Sequence, residues 1–279
     1  MAAAGVRRCF VDGEYGQLHL RVAGRATAKP AIVCLHMVPK SGRSFANVMP
    51  LLARDRLVLA PDYPGYGESD HPPAAPEVSI EDYARAVWQV VDHWRPGAVD
   101  FVGYHTGSMV ALAAARQRPG AVAKIINISA PIFTAAELEQ YRRYFAPIAL
   151  DTGGERFRVM WERIMHYRGP GMTLAMAADS MAENLRGGDH YEWGHRAAFN
   201  HAEAYVRHLR ELQQPLLVMN INDDLYAHSR RVDTLLNNGE RRDFPDWGNG
   251  FLDVRPEPVA ATMLNFFDAA FSRRSKGND

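Results

Sequence analysis

The chain has 279 residues, 32 Lys and Arg against 32 Asp and Glu, and a pI near 7.2. Apolar residues make up 47% and charged residues 23%, enough for one large α/β domain with a buried core. The charge balance leaves no footprint for nucleic acid or an anionic membrane, and no apolar run is long enough to span a bilayer.

Met1 to Cys9 lacks the apolar stretch of a signal peptide. The cysteines, Cys9 and Cys34, both fall in predicted strands, so neither a disulfide scaffold nor structural zinc is expected and the cytoplasm is the expected compartment. Strands are predicted over Arg7–Asp12 and Gln17–Ala23, with Gly13 and Gly16 marking a hairpin. The unbroken apolar runs Ala31–Leu35 and Leu57–Ala60 have the character of buried parallel strands. Ser79 followed by Asp82 predicts a capped helix running toward His93. Asp100–Val102 is a strand, Thr106–Arg116 a helix stopped by Pro119 and Gly120, and Lys124–Ser129 the next strand. From Phe133 to Leu212 the strand runs vanish and apolar residues recur at helical spacing, as in Phe157, Met160, Trp161 and Ile164. Glycine pairs punctuate these helices, and methionines of the segment suit a surface closing over an apolar ligand or ordinary helix packing. Strands return at Pro215–Asn220 and Arg241–Phe244, and Val259–Phe271 closes the chain as a helix. Strands alternating with helices predict a mostly parallel sheet covered on both faces, with ligands bound outside the carboxyl ends of its strands.

One segment carries the chemistry. Asp100-Phe101-Val102-Gly103-Tyr104-His105-Thr106-Gly107-Ser108 has the small-x-nucleophile-x-small frame of a sharp strand-to-helix turn, with small residues where neighbouring backbone packs close. The apex residue is His105. Ser108, three residues on, is read as a helix-start hydroxyl, and Cys34 as an inert buried thiol.

With this elbow, four further segments carry a resemblance. His36-Met37-Val38-Pro39 follows the third strand, and Asp62-Tyr63-Pro64-Gly65-Tyr66-Gly67-Glu68-Ser69 the fourth. Asn222-Asp223-Asp224 follows the seventh strand, and Trp247-Gly248-Asn249-Gly250-Phe251 lies beyond it. In this order they resemble the α/β-hydrolase superfamily. The resemblance implies an α/β fold: a mostly parallel eight-stranded sheet with helices on both faces and a helical cap inserted after the sixth strand. It divides the chain into a core of residues 1–132 and 213–279 and a cap of residues 133–212. It implies an acid at Asp224, oxyanion donors at the backbone N–H groups of Val38 and Thr106, and a nucleophile and a base where this chain has His105 and Asn249. Met37 stands where the family has glycine. An amide has no useful pKa, so Asn249 cannot move the proton that the usual serine mechanism moves.

A neutral imidazole is expected at the apex, because a helix N-terminus and burial both disfavour the charged form. Asp224 would set its tautomer, and contact with Asn249 is also expected. His105 then serves as acid–base on a small, mainly apolar carbonyl or ester compound, without cofactor. Alternatives are His105 as nucleophile, a catalytically inactive small-molecule-binding protein on the hydrolase fold, and a metal site drawn from His36, His105, His190 and His195. The last two histidines lack the i, i+4 spacing of a helical metal pair, so no metal is expected. His36, Tyr104 and Trp193 are candidate substrate-side residues, each with an ordinary packing role as the alternative. Asp62, Gly65 and Asp253 are read as loop-shaping residues. The cluster Arg207, His208, Arg210 and Glu211 is read as a solvated helix face. The expected partner is a small molecule, neither nucleic acid nor membrane, and the oligomeric state is left open.

Overall fold

The computed structural model describes residues 5–270. Eight strands form one sheet: β1 (Arg7–Gly13), β2 (Gly16–Ala23), β3 (Ala31–Leu35), β4 (Val58–Pro61), β5 (Val99–Tyr104), β6 (Val122–Ile128), β7 (Leu216–Ile221) and β8 (Gly239–Phe244). Their order is β1-β2-β4-β3-β5-β6-β7-β8, with β2 antiparallel to both of its neighbours and β3 to β8 parallel. Each predicted strand is present, with ends shifted by at most two residues. The predicted terminal helix reached Phe271, which lies outside the described residues, as does the stretch before Gly5.

Helices before the sixth strand are α1 (Met49–Leu52), α2 (Ile80–Trp94) and α3 (Thr106–Gln117). Between β6 and β7 come α4 (Ala135–Tyr144), α5 (Glu155–His166), α6 (Leu174–Leu185) and α7 (Trp193–Glu211). Single turns α8 (Tyr226–Ser229) and α9 (Phe251–Val254) and the terminal α10 (Pro256–Asp268) complete the set. The start of α2 follows from its sequence: Asp82 N–H donates to Ser79 Oγ at 3.2 Å, and Ser79 N–H donates to Asp82 Oδ2 at 2.7 Å.

The apolar runs of β3 and β5 are continuous because alternate residues enter two cores. Val33, Leu35 and Phe101 pack with α2 and α3 on one face, while Ile32, Cys34 and Val102 pack with α1 and α10 on the other. Strand order reverses at β3, whose neighbours are β4 and β5, so the carboxyl ends of β3 and β5 flank a topological switch point.

The segment between β6 and β7 is helical, as its periodicity predicts. It is unevenly packed. Helix α4 buries no residue and α5 buries Met160 alone, whereas α7 sets Tyr205 and Leu209 into the same core as α2 and α3. The second half of α7 is therefore a layer of the sheet's own core. His208 belongs to this buried side, 7% exposed, and departs from the solvated face predicted for it; Arg207, Arg210 and Glu211 are exposed.

Asp62 shows how the loop after β4 is held. It is 2% exposed and takes an N–H of Gly42 at 2.8 Å and an N–H of Glu68 at 3.0 Å. His19 Nδ1 lies 2.8 Å from its Oδ2. Burial opposes its charge, yet the His19 hydrogen bond and nearby imidazoles hold the carboxyl below the ordinary carboxylate range. Its contribution to stability is thus present above that range and lost as pH falls through the lowered value. Asp62→Ala is expected to destabilise the protein by about 3–5 kcal/mol, measured by chemical denaturation at neutral pH.

Candidate active site

The apex of the elbow lies between β5 and α3. His105 has φ 49° and ψ −110°, a conformation that L residues rarely adopt. Its N–H donates to Ile128 O at 3.0 Å, tying the turn to β6. Ser108 behaves as a helix-start hydroxyl, donating to Gly103 O and Ser129 O at 3.0 Å each. The glycines are sterically required. A Cβ on Gly103 would meet the Gly107 carbonyl, and a Cβ on Gly107 would meet the Leu35 carbonyl. Backbone on either side cannot yield without moving β3 or α3. Gly107→Ala is expected to cost about 1–3 kcal/mol or more and to lower Tm by several degrees.

The imidazole projects to the carboxyl end of β7. His105 Nε2 is 2.8 Å from Asp223 Oδ2, with the two side chains 13% and 0% exposed. The bonded carboxylate is therefore Asp223, where the resemblance pointed to Asp224. Two local features select it. Leu225 N–H donates to Asp223 Oδ1 at 2.9 Å, an Asx turn that directs the side chain inward. Ser129 Oγ donates to Asp223 Oδ2 at 2.7 Å. Ser129, with φ 57°, stands at the end of β6 just as His105 stands at the end of β5. Nothing but its place as the last residue of a predicted strand marked it in the sequence, and its role follows from β6 lying between β5 and β7.

With Nε2 engaged by a carboxylate, the proton of neutral His105 sits on Nε2 and Nδ1 is left as the acceptor. Burial pushes the imidazole pKa down, but the charge and hydrogen bond of Asp223 and the charge of Asp224 outweigh it, and the net shift is upward. This reverses the direction expected from the helix N-terminus and burial: two carboxylates at close range exceed a partial helix charge.

Asn249 makes its hydrogen bonds to residues other than His105. Tyr104 Oη–H donates to Asn249 Oδ1 at 3.0 Å, and Asn249 Nδ2 donates to Tyr167 O at 3.0 Å, so the amide links the elbow's flanking residue to the helical segment. His36 is fully buried; its Nε2 accepts from Tyr63 N–H at 3.0 Å and its Nδ1–H donates to Met37 O at 2.8 Å. It steadies the loop after β3 and does not line the site. Trp193 is also absent from the lining, packing edge-on against His190 and onto the core of α2 and α3. Asp253 has the structural hydrogen bond expected of it, from Asn47 at 2.9 Å.

Met37, Val38, Tyr104, His105 and Thr106 floor a cavity of about 620 Å³. The helical segment supplies much of its wall, including Tyr141, Phe145, Tyr167, Met172, Met176 and His195. Val38 and Thr106 have no hydrogen bond to another described residue from their N–H groups, so two amide donors remain free at the cavity wall. A polar end lies beyond the loop after β3. There Lys40 Nζ donates to Ser180 O at 2.8 Å and to Asn184 Oδ1 at 2.5 Å, joining that loop to α6, and burial lowers its pKa to about 7. Neither Lys40 nor the tyrosine-rich wall carried a signal in the sequence.

The histidines weighed as metal ligands do not gather. Among the described residues, the group with metal-ligand spacing is His105, Asp223 and Asp224, whose ligand atoms lie within 4.8 Å of one another. A cation there would have to displace the His105–Asp223 hydrogen bond, so the donor set fits the dyad better than a metal.

The sequence profile described as the alpha/beta hydrolase fold matches residues 30–256. The chain is 29% identical over 126 residues to the uncharacterized hydrolase YugF of Bacillus subtilis, covering 45% of this chain and 44% of that protein. It is 35% identical over 108 residues to a pimeloyl–acyl-carrier-protein methyl ester esterase of Methylococcus capsulatus, covering 39% of each. The matched region thus spans less than half the length of these curated relatives. Among solved structures, an esterase from Exiguobacterium antarcticum superposes with a TM-score of 0.77 at 17% identity, covering 94% of this chain and all of that one. An eight-stranded sheet in this order, an elbow with its two obligatory glycines and a profile match over most of the chain lead to one conclusion: the chain belongs to the α/β-hydrolase family.

Proposed function

We propose that this protein is a cofactor-free hydrolase of small, mainly apolar esters or related carbonyl compounds, with a His105–Asp223 dyad in place of the usual triad. The observation that carries the reading is the apex imidazole with Nε2 held by a buried carboxylate and Nδ1 left beside an open cavity. Nδ1 is two bonds beyond Cβ, close to where a serine hydroxyl would stand. From there it removes a proton from water as the water oxygen attacks the carbonyl carbon. Val38 and Thr106 N–H groups receive the oxyanion. The segment from Phe133 through the first half of α7 acts as a cap whose aromatic and methionine side chains exclude bulk water and select an apolar acyl group. The esterase relatives support this class, and the expected site of action is the cytoplasm.

Short-chain p-nitrophenyl esters test it. Steady turnover with a solvent deuterium isotope effect and no adduct on His105 is the expected result. A trapped acyl-His105 would make the imidazole the nucleophile. Tight ligand binding without turnover would make the protein a receptor on this scaffold.

A further inference from the structure

Asp224 is the part of the site that the dyad leaves unused. Its neighbour Asp223 is saturated, taking His105 and Ser129 on Oδ2 and Leu225 N–H on Oδ1. Asp224 lines the cavity, and its carboxyl receives no hydrogen bond from another described residue. Its own backbone N–H meets the carboxyl, and its carbonyl oxygen accepts from Tyr141 Oη at 3.4 Å. One Asp224 oxygen, one Asp223 oxygen and a His105 ring nitrogen lie within 4.8 Å of one another. A carboxyl group and an imidazole at this spacing, Asp224 and His105, do not titrate separately.

We propose that Asp224 is the site's second acid–base group, sharing one proton with His105 and delivering it to the departing alkoxide. This rests on the reading of His105 as the base. The groups facing Asp224 are His105, Asp223, His228, Tyr104, Tyr141 and Tyr167. Burial pushes the Asp224 carboxyl up from the ordinary carboxylate range; His105 opposes this while charged, and Asp223 adds to it. When His105 is neutral its opposing charge is gone, so the state that provides a base also favours a protonated Asp224.

The cycle balances with that one proton. Neutral His105 Nδ1 takes a proton from water as the water oxygen bonds to the carbonyl carbon. The tetrahedral oxyanion collapses, the carbon–alkoxide bond breaks, and Asp224 Oδ–H passes its proton to the alkoxide. Carboxylic acid and alcohol leave. The imidazolium then returns its proton to the Asp224 carboxylate, restoring the starting state without oxidant or cofactor. Asp223 keeps its hydrogen bonds to His105, Ser129 and Leu225 throughout.

Leaving-group dependence tests the proposal. Ethyl butyrate releases a basic alkoxide that requires an acid; p-nitrophenyl butyrate releases a stable phenolate with little need of one. In Asp224→Asn, kcat/KM for ethyl butyrate is expected to fall about 100-fold, and the fall for p-nitrophenyl butyrate to be at least about tenfold smaller. Asp224→Glu should recover part of the ethyl ester rate. Equal falls on both esters, with His105→Ala inactive, would overturn the role of Asp224 and leave the base intact. Wild-type protein that hydrolyses neither ester would overturn the reading of His105 and this proposal with it. An infrared readout is independent of turnover. His105→Gln, which carries no charge at position 105, should show a carboxylic-acid band at pH 7 that disappears in His105→Gln/Asp224→Asn. No such band would mean an ionised Asp224 and would overturn the proposal.

Discussion

His105→Ala is expected to lower kcat for p-nitrophenyl butyrate by about 10²–10⁴-fold, the usual worth of a positioned general base. Little of this loss should come from unfolding. Alanine at position 105 keeps the same positive φ, so the elbow is no more strained than before. Asp223 retains the Ser129 hydroxyl and the Leu225 N–H, so its carboxylate is not left unpaired in the interior. The stability change should therefore stay within about 1–3 kcal/mol by chemical denaturation. Unchanged turnover in a folded His105→Ala protein would remove the imidazole from the mechanism.

Asp223→Asn is expected to act on both the rate and its pH dependence. The base is the neutral imidazole, so activity rises with pH through the His105 pKa, which the carboxylates hold above the ordinary histidine value. Removing the Asp223 charge leaves burial opposed only by Asp224, and the rising limb should move to lower pH. The rate above that limb should fall by about 10²-fold or more, because asparagine does not enforce the tautomer with Nδ1 free. The linked stability has a definite sign. A folded-state pKa raised above the unfolded value of about 6.5 contributes stability fully present below about pH 6.5 and lost as pH rises through the folded value. That acid-side contribution should shrink in Asp223→Asn. A pH–rate profile superimposable on the wild type would show that Asp223 does not set the imidazole's protonation. A histidine NMR titration gives the same answer without substrate.

The regular elements were legible in the sequence because their signals are local. Continuous apolar runs marked β3 and β5, and the Ser79–Asp82 pair marked the start of α2. The elbow was legible for the same reason: Gly103 and Gly107 are demanded by backbone a few ångströms away. Partners across the sheet were not legible. Asp223 and Asp224 are adjacent and chemically identical, and the choice between them was made by the turn at Leu225 and by Ser129 on the next strand. Asn249 looked like a companion of His105 because both depart from the family pattern. The structure gives the amide to Tyr104 and Tyr167.

Trp193 and His36 show the other source of error. Each lies near the site along the chain, but a large ring or an imidazole near a site is as easily packed as displayed. His36 is consumed by two backbone groups, and Trp193 by its packing on the core. The sequence by itself determined the α/β sheet, the strained turn and the imidazole at its apex, all properties of residue type at short range. Tertiary structure alone decided which carboxylate holds that imidazole, which nitrogen is free, which way its pKa moves and which carboxyl is left open to the cavity. These depend on distances of a few ångströms between strand ends far apart in the chain, and electrostatic and hydrogen-bond energies change steeply over such distances.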